Sequence, residues 1–278
     1  MEMTFPGKFA DLRARVITSL FLIVVVFGTI WAGGLLAALM VTFASGWMAV
    51  ELAAITQAHE GKPDMVKASI WALPAVGLMA AFLFLSIPEA QLTIAALIAL
   101  IGLIDMLARR VPGLMVRVIG VAWVVGAGLA FLWIRNFPEW GLLTAIWVAL
   151  VVAASDTGAY FAGRLIGGPK LWPAVSPSKT WAGLGGGVVF AFLVGGVFSW
   201  ATTGTTYPQV CTVSAVAALL AQAGDLAESA LKRRYRVKDA GGLLPGHGGL
   251  LDRCDGLLAA SLVAALVMSW RGQTVFIW

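Results

Sequence analysis

The sequence predicts an all-α integral membrane protein, a polytopic bundle of about nine transmembrane helices with its N-terminus in the cytoplasm. Hydrophobic residues account for 60% of the 278 residues and charged residues for only 12%, and the mean hydropathy is +0.91. Apolar runs recur along the chain and reach the length of about 20 residues that a helix needs to cross a bilayer. A soluble domain would alternate short apolar stretches with charged surface, so the composition excludes that class.

Each predicted helix is an apolar run bounded by polar, charged, proline or glycine residues. The first run follows Lys8, Arg13 and Arg15, which look like the basic flank of a secretory signal, but the many spans behind it favour a retained helix. Only Gly33 and Gly34 divide the first helix from the second. Later helices are separated by segments 57–67, 88–89, 109–113, 135–139, 164–182, 204–208 and 231–249. The predicted spans are 16–32, 34–56, 68–87, 90–108, 114–134, 140–163, 183–203, 209–230 and 250–270.

The basic residues predict the orientation of these spans. With the N-terminus inside, every Lys and Arg except Arg135 and Arg271 lies at a cytoplasmic helix end or in a cytoplasmic loop. This asymmetry follows the positive-inside rule and supports the number of crossings as well. We therefore expect a periplasmic or extracellular C-terminus, in a bacterial inner membrane or an organelle membrane of the same sidedness. Cys211 and Cys254 then lie on opposite sides of the membrane, so no disulfide is expected between them.

Acidic residues within or beside the spans are candidates for function, because an unpaired charge in a bilayer is costly. Asp225 and Glu228 lie three residues apart near the cytoplasmic end of the eighth helix, and Asp252 and Asp255 repeat that spacing at the start of the ninth. Each pair therefore shares one helix face. Asp156 approaches the same side from the sixth helix. Carboxylates so gathered favour hard divalent cations.

Two further acidic residues, Glu51 and Asp105, are isolated near helix ends. We interpret both as structural, either snorkelling to the membrane surface or paired with a nearby Arg or Lys.

The loop between the carboxylate pairs favours a substrate that contains phosphate. Residues 229–256 hold six Lys and Arg against three Asp, and segment 241–249 within them contains five glycines whose N–H groups could surround an anion. A second segment, Ser176–Thr180, places Lys179 and hydroxyl groups just before the seventh helix, where an anion is also favoured. The alternative for this second segment is an ordinary N-cap with a positive-inside lysine.

Residues 229–255 resemble the defining motif of the phosphatidate cytidylyltransferases, also called CDP-diacylglycerol synthases. The matched positions are Ser229, Lys232, Arg233, Lys238, Asp239, Leu244, Pro245, Gly246, His247, Gly248, Gly249, Asp252, Arg253 and Asp255. The resemblance extends upstream to Gly224-Asp225-Leu226, to residues 155–164 and to Ser176–Thr180. It departs from the family pattern at Ala182, where Glu or Gln is usual, and at Gly256, where Ser is usual.

The resemblance implies that CTP and phosphatidic acid react to give CDP-diacylglycerol and pyrophosphate, with a divalent metal required. We expect Mg²⁺, as one or two ions, with a monovalent ion as a further option. The expected metal ligands are Asp225, Asp252 and Asp255, which also count as catalytic together with Lys232, Arg233 and Lys238. The expected substrate-binding residues are Asp156, Ser176, Lys179, Thr180, Ser229, His247, Gly248, Gly249 and Arg253. For His247, donation to a phosphate oxygen and a structural role in the loop stay equally open.

On this interpretation the partners are CTP, phosphatidic acid and the lipid bilayer, and no nucleic acid is expected. Helix faces of small residues are compatible with a homodimer. The motifs all lie in residues 136–278, whereas residues 1–135 contribute helices without a motif to what is expected to be one continuous membrane domain. The active site should face the cytoplasm.

Two other functions fit part of the pattern. A membrane transporter for a cation or a phosphate compound would also contain intramembrane carboxylates, but its polar residues would line the full membrane depth. Here they gather at one face, and the outer loops 86–91 and 202–209 contain no basic residue. A CDP-alcohol phosphotransferase would need further acidic residues after Asp255, and none follows.

Overall fold

The structure is a computed structural model, and it describes residues 23–57, 65–73, 77, 113–203, 207–243 and 248–277. Helices dominate these residues. In chain order they are α1 (Ile23–Ala32), α2 (Gly34–Gln57), α3 (Met65–Ser69, continued by the 3₁₀ turn Ile70–Ala72), α4 (Leu114–Arg135), α5 (Gly141–Leu165), α6 (Trp181–Thr203), α7 (Pro208–Arg234) and α8 (Leu251–Arg271).

Five of these helices, α2, α4, α5, α6 and α7, are long and apolar enough to cross a membrane. This confirms the helical, membrane-embedded class of the protein. The α8 helix has 21 residues, carries Asp252, Arg253 and Asp255 close to its start, and is not among the five. Most of the third predicted span, all of the fourth, and Asp105 lie outside the described residues. The count of nine and the orientation of the N-terminus stay predictions.

Local chemistry explains where the helices begin and end. The chain breaks between α1 and α2 at Gly33 and Gly34, whose φ angles of 68° and 50° suit glycine. Pro208 begins α7, where its missing N–H leaves no helical hydrogen bond unmade. Gly272 ends α8 in the left-handed conformation with a φ of 67°. The start of the first predicted span lies outside the described residues, and the other predicted boundaries of these helices are confirmed to within a few residues.

One element departs from the all-α prediction. Residues between α5 and α6 form an antiparallel hairpin of β1 (Lys170–Trp172) and β2 (Ser176–Thr180), with Lys170 opposite Thr180 and Trp172 opposite Ser176. Prolines at 169, 173 and 177 prevent a helix here, and an isolated two-stranded ribbon tolerates them because its outer edges need no partner. The hairpin lies directly before α6 and positions Lys179.

Helices α5 and α6 pack closely through glycines. A Cβ on Gly186 would lie 2.7 Å from the carbonyl oxygen of Gly158, and a Cβ on Gly183 would lie 3.0 Å from that of Ala159. Such distances are shorter than van der Waals contact, so only glycine permits this approach. Gly187 faces α5 in the same way, with its Cβ position 2.8 Å from the carbonyl oxygen of Ser155, whereas Gly185 has open space around it.

A second close packing joins α8 to α5 and α7. A Cβ on Gly256 would lie 3.1 Å from Val152 Cγ1 and 3.5 Å from Ala221 Cβ, and Gly224 similarly faces the backbone of Asp255. The glycine at position 256, where the resembling family usually has serine, therefore lets the three helices approach one another beside the acidic residues.

The two larger hydrophobic clusters of the described residues lie inside the bundle. One surrounds Trp147 of α5 with residues of α4, α7 and α8. The other joins Leu52 of α2 to Val124 of α4 and Leu258 of α8. Because α2 and α4 belong to the half of the chain without motifs, this second cluster attaches that half to the helix that carries Asp252 and Asp255.

Candidate active site

A salt bridge joins the hairpin to α7. Lys179 Nζ of β2 lies 2.6 Å from Asp225 Oδ2, and the Lys179 side chain is 19% exposed. Ser229, one turn further along α7, donates its hydroxyl to Asp225 Oδ1 at 3.3 Å. The predicted site residues Lys179, Asp225 and Ser229 therefore form one group.

A second group joins α7, the motif loop and α8. Lys232 Nζ lies 2.7 Å from Asp252 Oδ1 and 3.2 Å from Glu228 Oε1. Asp252 also accepts the backbone N–H groups of Ala240, at 3.0 Å, and Gly249, at 3.1 Å, on Oδ2. Both oxygens of Asp252 are thus engaged within the protein, and the loop closes around this carboxylate. Its role as a metal ligand stays a prediction.

Carboxylates of α5, α7 and α8 interact electrostatically beside these groups. Asp255 of α8 lies within electrostatic range of Asp225 on α7 and Asp156 on α5, and Asp156 also interacts with Asp225 and Lys179. Gathering like charges is unfavourable without cations nearby.

Carboxylate oxygens are the ligands that Mg²⁺ prefers, so the donor chemistry of this cluster fits a divalent ion. Within the part of the chain that the structure describes, however, no three acidic, histidine or cysteine side chains are gathered closely enough to form a ready-made metal site. The predicted metal therefore stays untested.

A cavity of about 450 Å³ opens beside this acidic cluster, between α5, α6, α7 and β2. Its lining includes four predicted site residues, Asp156, Lys179, Thr180 and Asp225, as well as Ser178 and Arg164. The cavity thus presents cationic and anionic side chains to one open space, as a polyphosphate with a bound cation would require.

Arg164 was missed as a site residue by the sequence analysis. It lies in the last turn of α5, donates to the hydroxyl of Tyr160 at 2.8 Å, and has its guanidinium 5.9 Å from the centroid of that ring. The available signal was its position at the end of segment 155–164, where the family resemblance had already been noted.

Thr180 and Ser176 have structural partners. Thr180 is 5% exposed, and its hydroxyl accepts the N–H of Gly183 at 3.0 Å, so it caps the start of α6. This is the ordinary N-cap that was the alternative for the segment. Ser176 pairs with Trp172 in the hairpin.

The remaining predicted residues surround the loop. Arg233 donates Nε to the carbonyl of Val175 at 3.4 Å and so connects α7 to the hairpin turn. Lys238 and Arg253 are exposed. Gly248 has a φ of 88°, which favours glycine, and lies against Asp252. His247 lies outside the described residues.

The interpretation of Glu51 was wrong in its detail. Glu51 is 3% exposed, and instead of pairing with Arg or Lys it accepts the backbone N–H groups of Leu250 and Leu251 at 3.1 and 2.8 Å. Trp47 donates its indole N–H to the same carboxylate at 3.0 Å. No local pattern could have revealed this, because the contact joins residues 200 positions apart.

The two cysteines, Cys211 and Cys254, are both free, which confirms the expectation that they form no disulfide.

Comparison with known proteins gives the same family as the motif. A family model described as "Cytidylyltransferase family" matches residues 13–270. Curated relatives named "Phosphatidate cytidylyltransferase" include those of Bacillus subtilis, 43% identical over 129 residues (46% of this chain and 48% of the relative), and Brucella suis, 39% identical over 155 residues (53% and 54%). The relative from Staphylococcus epidermidis is 40% identical over 136 residues (49% and 52%). The chain spans about half the length of the curated relatives it matches. Because the family match extends over nearly all of its residues, the chain belongs to the cytidylyltransferase family.

Proposed function

We propose that the protein transfers the cytidylyl group of CTP to phosphatidic acid, giving CDP-diacylglycerol and pyrophosphate in phospholipid biosynthesis. The observation that carries this proposal is the cavity in which Lys179, Arg164 and Asp225 meet at one end of the helical bundle. Family membership and the shared name of the curated relatives support it.

The chemistry needs little proton transfer from the protein. The attacking group is the phosphate of the lipid, whose second pKa is about 6, so it is largely dianionic at neutral pH. What remains for the protein is to hold the two phosphate groups in line and to neutralise their charge. Lys179 and Arg164 are placed to do this within the cavity, Lys179 as a compact charge and Arg164 through paired N–H groups.

Lys179 is held by Asp225 at 2.6 Å in this structure. A bound phosphate would compete with Asp225 for the ammonium group. Release of Lys179 would in turn leave the Asp225 carboxylate able to bind a cation that accompanies the nucleotide. The same movement of Lys179 from Asp225 to a phosphate would thus favour binding of both the substrate and the ion.

The residues that would hold a divalent ion are Asp225 and Asp255, with Asp156 beside them. A Mg²⁺ ion bound there would supply positive charge to the phosphate oxygens. Asp252 is also a predicted metal ligand. In this structure, however, its carboxylate accepts hydrogen bonds from the loop backbone and so holds the loop in place.

The other predicted basic residues belong to α7, to the motif loop and to α8. Lys232 lies between Asp252 and Glu228, and Arg233, Lys238 and Arg253 are expected to neutralise the triphosphate and the leaving pyrophosphate. His247 is expected to lie near them in the same loop.

In a membrane, the two substrates would reach the cavity by different routes. Apolar side chains beside it are exposed, with Phe161 at 51%, Leu165 at 81% and Trp181 at 58%, and such a surface suits lipid. Phosphatidic acid would therefore enter sideways from the cytoplasmic leaflet and CTP from the cytosol. The charge asymmetry supports this orientation, in a bacterial inner membrane or one of the same sidedness.

The test is an assay of the purified protein in detergent with phosphatidic acid, CTP and Mg²⁺. We expect release of pyrophosphate together with CDP-diacylglycerol, and loss of activity by about 100-fold or more in Asp225→Asn, since the residue holds Lys179 before substrate binds and would hold the proposed ion afterwards. Glu139→Gln, at an exposed position at the other end of α5, serves as the control. A folded wild-type protein that makes no CDP-diacylglycerol but moves cations or phosphate across vesicles would contradict the proposal and favour the transporter.

A further inference from the structure

Glu51 is a buried carboxylate in the half of the chain that carries no motif. It lies in α2 and is 3% exposed. A buried charge is costly unless donors surround it, and such a group normally has a defined set of hydrogen bonds. The hydrogen-bond donors around Glu51 therefore indicate which part of the protein it holds in place.

Two of these donors belong to the start of α8. Leu250, the N-cap residue, donates to Glu51 Oε1 at 3.1 Å, and Leu251, the first helical residue, donates to Oε2 at 2.8 Å. The first N–H groups of a helix have no partner within the helix, and the positive end of the helix dipole favours a carboxylate there. The N-cap residue makes no side-chain cap of its own, so Glu51 supplies the cap from another helix.

The motif loop packs directly against the same carboxylate. A Cβ on Gly241 would lie 2.9 Å from Glu51 Cδ, and a Cβ on Gly249 would lie 3.0 Å from Oε2. The first distance is shorter than real Cβ atoms show and the second is tighter than most real Cβ contacts, so glycine at these two positions lets the loop come this close. Glycines that the sequence suggested for anion binding thus also fit the loop around Glu51.

Glu51 and Asp252 hold neighbouring parts of one backbone segment. Asp252 accepts the N–H groups of Ala240 and Gly249, and Glu51 accepts the next two, those of Leu250 and Leu251. Asp255 follows Leu251 by one turn of α8. The position of both aspartates therefore depends on a contact with α2.

We propose that Glu51 is a positioning residue for the proposed reaction, which fixes the motif loop and the first turn of α8 so that Asp252 and Asp255 are in place when substrate binds. The proposal rests on the proposed function for its effect on turnover. Its structural part, the anchoring of the loop, does not. Glu51 touches neither substrate nor ion in this scheme and acts only through the backbone it holds.

The two native cysteines offer a direct measure of this anchoring. Cys254 lies in the first turn of α8, next to the anchored segment, whereas Cys211 is buried near the other end of the bundle, in the first turn of α7. Loss of a local anchor should therefore expose Cys254 and leave Cys211 protected. General loosening of the fold should expose both cysteines.

The experiment compares wild type, Glu51→Gln and Trp47→Phe in detergent. The Gln variant replaces one acceptor oxygen with an NH₂ group that faces backbone donors, while the Phe variant removes only the indole donor and leaves both acceptors in place. Alkylation of each cysteine by N-ethylmaleimide is followed by mass spectrometry of the two peptides, and kcat is measured from pyrophosphate release.

We expect Glu51→Gln to raise the alkylation rate of Cys254 by roughly tenfold with that of Cys211 unchanged, and to lower kcat on the order of 10- to 100-fold. Trp47→Phe should stay near wild type in both. Glu51→Asp, which keeps both acceptor oxygens on a shorter side chain, should fall between the two and carries the same test if Glu51→Gln does not fold.

Wild-type reactivity of Cys254 in Glu51→Gln would overturn the proposal, as would equal acceleration at both cysteines or an unchanged kcat in an active protein. If the wild-type protein makes no CDP-diacylglycerol, the proposed function fails, and the ratio of Cys254 to Cys211 alkylation still decides whether Glu51 anchors the loop.

Discussion

At the scale of single residues, two lysines of the site each neutralise a carboxylate. Lys179 and Lys232 were both expected to bind phosphate, and each lies instead against a carboxylate, Asp225 at 2.6 Å and Asp252 at 2.7 Å. These contacts neutralise part of the acidic cluster and keep each ammonium group close to its proposed ligand. A lysine in such a position is ready to exchange a carboxylate for a phosphate, because both partners are oxygen anions.

Replacing Lys179 tests this balance. We expect Lys179→Ala to lower kcat/KM for CTP by roughly 100-fold, because a phosphate-binding cation is lost and Asp225 is left without its partner. Steady-state pyrophosphate release measures the effect. Lys170→Ala is the matched control, since Lys170 is exposed on the same hairpin, opposite Thr180, and should remain near wild type. Equal losses in the two variants would contradict a specific role for Lys179.

At the scale of elements, the contact between α5 and α6 determines the shape of the cavity. Arg164 and Asp156 come from α5, while Lys179 precedes α6 by two residues. The glycines of these helices bring the backbones close enough for both sets of side chains to reach one space. The glycines at this helix contact therefore influence the geometry of the site, although they carry no functional side chain.

Two adjacent glycines on α6 separate these effects. A Cβ on Gly186 would meet Ala162 and the carbonyl of Gly158, whereas a Cβ on Gly185 meets nothing within 4 Å. We expect Gly186→Ala to destabilise the protein by roughly 1–3 kcal/mol, because the helices must move apart. Gly185→Ala should be neutral or stabilising by roughly 0.5–1 kcal/mol, through the higher helix propensity of alanine. Thermal unfolding in detergent, followed by tryptophan fluorescence, gives both values, and similar melting temperatures for the two variants would contradict the close packing.

At the scale of the whole molecule, helices from the two halves of the chain pack against each other. The cluster around Leu52, Val124 and Leu258 joins α2, α4 and α8, and Arg117 donates Nε to the Thr56 hydroxyl at 2.5 Å across α4 and α2. The half without motifs thus supports the motif helix directly. This explains why residues 1–135 can lack recognisable site residues and still contribute to the site.

The orientation of the molecule is open to a direct test. Glu139 precedes α5, and Lys170 follows it on the hairpin, so a membrane-spanning α5 places them on opposite sides. In a variant without Cys211 and Cys254, we expect Glu139→Cys to react with a membrane-impermeant maleimide in intact bacteria. Lys170→Cys should react only after permeabilisation, because the basic loops face the cytoplasm. The reverse labelling pattern would overturn the predicted orientation and the cytoplasmic site.

The sequence by itself determined the class of the protein, most helix boundaries among the described residues, and the side of the bundle where Asp156, Asp225, Asp252 and Asp255 gather. It could do so because bilayer thickness, glycine and proline act locally, and three-residue spacing sets a helix face. Even the weakest division, at Gly33, is confirmed by its positive φ.

Only the tertiary structure decided which partner each polar group takes. Thr180 caps α6, Asp252 gathers the loop amides, Arg164 lines the cavity, and Glu51 caps a helix that begins 200 residues later. The hairpin likewise appears only in the fold, since two strands of three and five residues leave little pattern in a chain dominated by helices. The physical reason is common to all of them. A hydrogen bond or salt bridge between distant residues depends on how helices pack, and the amino acids at either end carry no local sign of the other.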